Sequence, residues 1–284
     1  MPCSKSQKSA LMTHGERVAR RFGARAAGYD EHAVLQRQTA ERLAAFVLAH
    51  GGLPEPVSQP EPAEDRAAAL PREAAEEQPD ALVAEIGCGT GLLTSLLAGR
   101  VARYLATDIA PEMLERCRAK LSDQANIEFS VLNGEGACFA EEPWSIVSNL
   151  AAQWFRDPIS GLMHLAGQTP RLFFAVPLAG SFPEWECAFR EEGRASGLLP
   201  LPDETALRRA FSTLPGRGAF FETVEHVIHY ADAHAFAESF RRIGADTPRQ
   251  GYRPGPIRAV LRHFESGMDA SARVLYGCVT KEQA

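Results

Sequence analysis

The run Glu85-Ile86-Gly87-Cys88-Gly89-Thr90-Gly91 follows a short apolar segment, Ala81 to Ile86, and precedes Leu92 to Leu97, which reads as helix. A strand that turns at once into a helix needs glycine where the backbone takes positive φ or where a ligand approaches the main chain. Glycines at alternate positions between two such elements therefore mark a ligand-binding turn. In the dinucleotide fingerprint G-x-G-x-x-G, counted from Gly87, a third glycine would stand where Leu92 is found. The spacing here is G-x-G-x-G instead, with an acidic residue, Glu85, before it.

Outward from this turn the chain alternates regularly. Arg103 to Asp108 reads as a strand and Pro111 to Leu121 as a helix with proline in its first turn, where a missing N–H costs nothing. Strands follow at Ile127 to Leu132, Ser145 to Ser148 and Arg171 to Val176, with a helix over Pro158 to Gly167 between the last two. Strands alternating with helices predict a doubly wound α/β fold: a mainly parallel sheet covered on both faces. Beyond residue 177 the pattern loosens. Helices are expected at Pro183 to Arg194, Asp203 to Phe211 and Ala233 to Ile243, and strands at Phe221 to Tyr230 and Arg273 to Thr280 could complete the sheet.

On the N-terminal side, Asp30 to His50 reads as one helix, with Leu35, Leu43, Phe46 and Val47 on one side and Gly51-Gly52 ending the run. Gly52 to Pro79 then holds six prolines, six alanines and seven acidic residues against two arginines, too little apolar surface to pack. A flexible insertion is expected, with a short helix around Ala63 to Ala75 as the alternative. The organisation is thus an N-terminal helical part (1–51), an insertion (52–79) and an α/β domain (80–284) with additions after residue 177.

Of the 284 residues, 45% are hydrophobic and 23% charged, the balance of a folding chain. A net charge of -6 disfavours a polyanionic partner such as nucleic acid. A run of about 18 or more apolar residues is missing, and Met1 to Ala10 is polar, so a cytoplasmic protein without membrane attachment is expected. The six cysteines are scattered, with no close pair from which a zinc site could be built. His226 and His229 have a spacing seen in metal sites, but on a strand residues three apart point to opposite faces. No metal is expected.

The glycine turn resembles the first motif of class I methyltransferases, and this resemblance implies S-adenosylmethionine as co-substrate. In such proteins the amino-acid end of the ligand lies over Gly87, Cys88, Gly89 and Gly91, where its ammonium group can meet Glu85 or carbonyl oxygens. Asp108, closing the next strand 17 residues after Gly91, is placed to accept hydrogen bonds from both ribose hydroxyls; the alternative is a cap on the helix that follows. Ile109 and Met113 would flank the adenine, or simply pack in the core. Glu135, in Asn133-Gly134-Glu135, is the candidate for the adenine amino group, or a solvated loop carboxylate. The fourth strand runs into Ser148-Asn149-Leu150-Ala151-Ala152-Gln153-Trp154 and lacks the paired prolines of base-directed amino-methylases. Asn149 is counted with the co-substrate residues.

Four separated blocks narrow the resemblance. Arg21-Phe22-Gly23-Ala24-Arg25-Ala26-Ala27-Gly28-Tyr29-Asp30 running on to Leu35-Gln36-Arg37-Gln38, the glycine turn, Ser148 to Trp154, and Gly180-Ser181-Phe182-Pro183-Glu184 are similar to the malonyl-[acyl-carrier-protein] O-methyltransferases of biotin synthesis. The resemblance implies methylation of the free malonyl carboxylate on acyl carrier protein, and a lid from Phe22 to Gln38. Tyr29 would line the site and Trp154 would border the acyl pocket, each with core packing as the alternative. The carboxylate is already ionised at neutral pH, so no general base is expected. An arginine is expected to hold it, with Arg37, Arg208, Arg209 and Arg253 as alternatives. Arg241, Arg242, Arg249, Arg253, Arg258 and Arg262 form a candidate surface for the acidic carrier protein, or a solvated helical face. Two departures from the family stand out: the length of the insertion, and Val176-Pro177 where a Ser-Thr pair is expected. Another small-carboxylate methyltransferase, a hydroxylase relative and a non-catalytic cofactor-binding protein are the competing readings.

Overall fold

The structure is a computed structural model that describes residues 12–54, 80–245 and 255–282. Helix α1 (His14–Gly23) opens on a capping box in which the Thr13 hydroxyl and the Glu16 carboxylate satisfy each other's backbone N–H groups. The expected single helix over residues 30–50 is two helices. Short α2 (Tyr29–His32) and α3 (Val34–Ala49) are separated at Ala33, whose ψ of 50° lies outside the helical range. Ala33 is fully buried in a cluster with Ala26, Tyr29, Ala110, Met113 and Ile243, so tertiary packing of this corner overrides local propensity.

Gly52, expected to head the insertion, belongs to the packed body. It is buried, its carbonyl accepts the Ser145 hydroxyl at 2.6 Å, and a Cβ there would meet Val47 and Phe173 below 3 Å. The remainder of the expected insertion, from residue 55 to residue 79, lies outside the described residues.

The sheet is built from β1 (Leu82–Ile86), α4 (Thr94–Leu97), β2 (Arg103–Asp108), α5 (Pro111–Lys120), β3 (Ile127–Val131), β4 (Ser145–Asn149), α6 (Pro158–Gly167) and β5 (Arg171–Pro177). There follow α7 (Pro183–Glu191), α8 (Glu204–Ser212), β6 (Arg217–Tyr230), α9 (Ala233–Arg242), α10 (Arg258–Arg262) and β7 (Met268–Lys281). Strand order is β3-β2-β1-β4-β5-β7-β6; the first five strands are parallel and β7 is antiparallel to both of its neighbours. This is the expected doubly wound arrangement, and the last two strands do complete the sheet.

Alternation along each strand divides the core in two. Val83, Val147, Phe173 and Tyr276 face one layer with α3 and α5; Ala84, Ile146, Phe174 and Leu275 face the other with α6 and α8. Both faces being covered, the central strands read in sequence as continuous apolar runs. A third cluster, around Phe182, Trp185, Phe189, Phe236 and Phe264, joins α7, α9 and α10 to the N-terminal end of β7. His226 and His229 take separate partners, the Tyr276 hydroxyl and the Asp269 carboxylate. Among the described residues no helix is long and apolar enough to cross a membrane.

Candidate functional site

Chain order reverses beside β1, whose neighbours β2 and β4 lead away in opposite directions, and such a point leaves a crevice at the carboxyl ends of the strands. Here the chain leaving β1 makes its turn with Gly87, Gly89 and Gly91 all at positive φ (71°, 55° and 87°). A Cβ on Gly87 would lie 2.3 Å from that of Ala151, and one on Gly91 would lie 2.6 Å from Cys117 Sγ. Around Gly89 nothing falls within 4 Å. The turn is therefore pressed against protein at its two ends and bare at its middle. It borders a cleft of about 900 Å³, open mouth included, lined by Gly87, Cys88 and Gly89.

Asp108, at the end of β2, fixes the turn from the side. Its Oδ2 accepts the Gly89 N–H at 2.9 Å and its Oδ1 accepts the Ala110 N–H at 2.8 Å. Burial pushes its pKa up, against the pull of the Ala110, Gly89 and Ile109 N–H groups. Asp108, Ile109, Met113, Leu132 and Glu135 all line the cleft. Met113 also packs in the cluster with Tyr29 and Ala33, the core packing named as its alternative. Glu135 accepts the Asp157 N–H at 2.9 Å.

Glu85 reaches the cleft too, but one carboxylate oxygen, Oε2, is engaged from the interior by the hydroxyls of Thr94 (2.6 Å) and Tyr104 (2.8 Å). Burial raises its pKa to about 7, with the two hydroxyl bonds opposing the rise. Asn149 spends its side-chain N–H on the Gln36 carbonyl, which leaves its Oδ1 buried and without a partner. An unpaired buried oxygen, a buried carboxylate and an apolar wall make a site rich in acceptors. It fits a ligand that brings a cation, a diol and a flat apolar ring, and it repels phosphate.

The N-terminal helices roof this cleft. Tyr29 and Gln36 line it, as do His14, Gly15, Val18 and Phe22 of α1. His14 Nε2 donates to the Trp154 carbonyl at 2.7 Å, and the Phe22 ring meets the Trp154 ring edge-on at 5.1 Å. Asp30 pairs with Lys120 of α5 at 2.5 Å and accepts the Thr90 hydroxyl, tying the roof to the glycine turn. Burial, followed by the Asp108 and Asp30 carboxylates, pushes the Tyr29 phenol well above its usual range. The contribution of α1 was missed in the sequence. Its signal was the Thr13-x-x-Glu16 capping box.

A second cavity, about 1,680 Å³ with its mouth, adjoins the first and is walled by Leu35, Phe182, Leu198, Tyr230 and Phe240. Gln36, Leu150 and Trp154 border both cavities. Leu150 sits at φ 48°, a costly conformation for a residue with a side chain, directly after β4. Pro177, one of the two departures noted above, lines the second cavity.

Of the arginines considered for carboxylate binding, Arg37 bonds the Asp30 carbonyl, Arg208 bonds Glu204 and Thr223, and neither they nor Arg209 lines a cavity. Arg253 lies outside the described residues, as does Arg249. Among the described residues, the arginine on the wall of the second cavity is Arg190, which sequence reasoning passed over. In the candidate docking surface, Arg241 and Arg242 both pair with Glu238, at 2.7 Å each, while Arg258 and Arg262 are exposed on α10.

Residues 83–165 match the family model described as a methyltransferase domain. The chain is 33% identical over 270 residues to the biotin biosynthesis bifunctional protein BioCD of Bordetella avium, covering 92% of this chain and 51% of that one. It therefore spans about half of that two-function relative. It is 30% identical over 279 residues to the malonyl-[acyl-carrier protein] O-methyltransferase of Magnetococcus marinus, with 93% and 92% covered. Among solved structures, magnesium protoporphyrin IX methyltransferase from Synechocystis with bound S-adenosylhomocysteine superposes with a TM-score of 0.56, at 15% identity, over 95% of this chain and all of that one. That likeness shows the fold. The Magnetococcus alignment, running through the roof, the glycine turn and the second cavity, shows the family, and this chain belongs to the malonyl-[acyl-carrier protein] O-methyltransferases.

Proposed function

We propose that this chain transfers the methyl group of S-adenosylmethionine to the free carboxylate of malonyl-[acyl-carrier protein] in the cytoplasm, as a step of biotin synthesis. The observation that carries the proposal is the meeting of the two cavities at Gln36, Leu150 and Trp154. One cavity is acceptor-rich and suits the co-substrate; the other is largely apolar, opens outward and suits an acyl-bearing arm.

In this reading Asp108 accepts the ribose hydroxyls, Asn149 Oδ1 and the carbonyls of the turn receive the ammonium group, Ile109 and Met113 flank the adenine, and Glu135 stands near its amino group. Bound S-adenosylmethionine supplies a methyl group on a sulfonium. The carboxylate oxygen forms the new C–O bond as the C–S bond breaks, and the electron pair goes to sulfur. No proton moves, so the site needs no base. A cation and an anion are both neutralised in this step, and their charges are already dispersing at the transition state. Excluding water therefore helps, and the Phe22 and Trp154 rings with Leu150 and the α1 roof do so. Masking the charge as an ester leaves a chain end that elongating enzymes can treat as apolar.

The test is incubation of the purified protein with methyl-labelled S-adenosylmethionine and malonyl carrier protein, read by mass spectrometry of the carrier. One methyl ester per malonyl chain, and none on acetyl carrier protein, is expected. Label on a different small carboxylic acid alone would remove the substrate assignment and leave the methyltransferase.

A further inference from the structure

Resting on that reading, we propose that the side-chain amide of Gln36 holds the acceptor carboxylate, donating an N–H to the oxygen that does not attack, and that no arginine among the described residues contacts this carboxylate. Among the described residues three border both cavities: Leu150 is hydrocarbon, and the Trp154 ring packs edge-on against Phe22. Gln36 carries the amide among the three, and the Trp154 indole N–H is the other donor. Its amide takes no partner among the described residues, while its backbone carbonyl already accepts from Asn149 and Thr39.

Neighbouring polar groups do not fill the role. Gln153 lines the second cavity alone; one of its two N–H donors bonds the Leu150 carbonyl, and its Oε1, buried and unpaired, is an acceptor that would repel a carboxylate. Asn149 is committed in the same sense. Tyr29 and His14 line the first cavity alone; His32 and Arg190 line the second alone. Arg190 is exposed and donates to Cys187 Sγ at 2.9 Å.

Chemistry favours a neutral donor at this point. The positive charge that draws the carboxylate in is the sulfonium itself, and a guanidinium in a two-pronged bond would draw electron density from the oxygen that must attack. One amide N–H orients the group and leaves the second oxygen free. Val34–Ala49 is a helix anchored by the buried Leu43 and Val47, so Gln36 is presented from a rigid element.

The experiment compares Gln36→Met, Gln36→Glu, Arg190→Met and His32→Gln in steady-state kinetics on malonyl carrier protein, with S-adenosylmethionine affinity measured by calorimetry. Gln36→Met is expected to lose about 10- to 100-fold in kcat/KM, the scale of one hydrogen bond to a charged group, with co-substrate affinity unchanged within about twofold. Gln36→Glu keeps the size and adds a like charge, so it should lose more. Arg190→Met and His32→Gln, which touch the second cavity alone, should each lose less kcat than Gln36→Met. Near-normal turnover in both Gln36 variants, or a larger kcat loss in Arg190→Met or His32→Gln, would overturn the assignment while the proposed reaction stands. A wild-type protein inert toward malonyl thioesters would overturn the reaction, and this assignment with it.

Discussion

The backbone N–H of Gly89 donates to Asp108 Oδ2 at 2.9 Å, so the bare middle of the glycine turn and the carboxylate at the end of β2 form one bonded unit. Removing either end disturbs the other. Asp108→Ala is expected to weaken S-adenosylmethionine by about 1.5–3 kcal/mol through lost charged hydrogen bonds. It should also lower the stability of the ligand-free protein, because the Gly89 and Ala110 N–H groups lose their acceptor. Calorimetry and denaturant melts on the same variant separate the two effects; unchanged affinity would remove Asp108 from the ribose site.

Two glycines of that turn, Gly87 and Gly89, should respond differently to alanine. Gly89→Ala meets open space and suffers only the left-handed backbone, about 1–2 kcal/mol. Gly87→Ala adds a methyl 2.3 Å from the Ala151 Cβ, an overpacking cost of about 1–3 kcal/mol more. Urea melts should rank Gly87→Ala as the less stable, and Gly89→Ala should lose co-substrate affinity while still folding cooperatively. The reverse order of stability would contradict the packing described.

Glu85 predicts a pH dependence. In the folded chain burial keeps its proton until about pH 7, whereas the free carboxyl loses it near 4.5. The folded state binds more protons across that window, so this contribution to stability is full below about pH 4.5 and is lost as pH rises to about 7. Gln at this position has no proton to lose. Ligand-free Glu85→Gln should therefore show a stability profile flatter than wild type by up to about 3 kcal/mol between those limits. Parallel profiles from urea titrations would mean that Glu85 ionises in the folded protein as it does in water.

Carrier protein docking predicts a salt effect. Activity at subsaturating malonyl carrier protein should fall as ionic strength rises, since exposed charges are screened within about 8 Å under physiological conditions. Arg241 and Arg242 share the single carboxylate of Glu238, which leaves a net positive charge at the end of α9. Reversing both to glutamate should raise KM for carrier protein and leave co-substrate affinity intact. An unchanged KM would move the docking surface elsewhere.

What the sequence disclosed follows from burial. Strands β1, β2, β4 and β5 are covered on both faces, so their apolar runs were legible to within a residue or two, and Asp108 was legible because β2 ends on it. The first four residues of β6 were missed because Arg217 to Phe220 is half-buried or exposed and carries no apolar alternation. The start of β7 was missed because Asp269 and Ser271 interrupt its apolar pattern. The roof was seen only from Phe22 onward, since α1 buries a single apolar side chain, Val18. Gln36 and the two-cavity junction depend on elements more than 100 residues apart, and no local pattern encodes that meeting.

The threading of β7 has a consequence for how the protein is made. This strand lies between β5 and β6, and Val274, Leu275 and Tyr276 are wholly enclosed there. While a ribosome is still producing residues 178–267, β5 stands as a raw sheet edge, and Phe174 lacks the cover that Phe211, Phe221 and Gly277 later give it. Such an edge invites pairing with strands of other nascent chains. Vectorial synthesis therefore delivers the keystone strand after every other strand of the sheet, and its fourteen-residue antiparallel pairing with β6 joins that strand to the edge it closes.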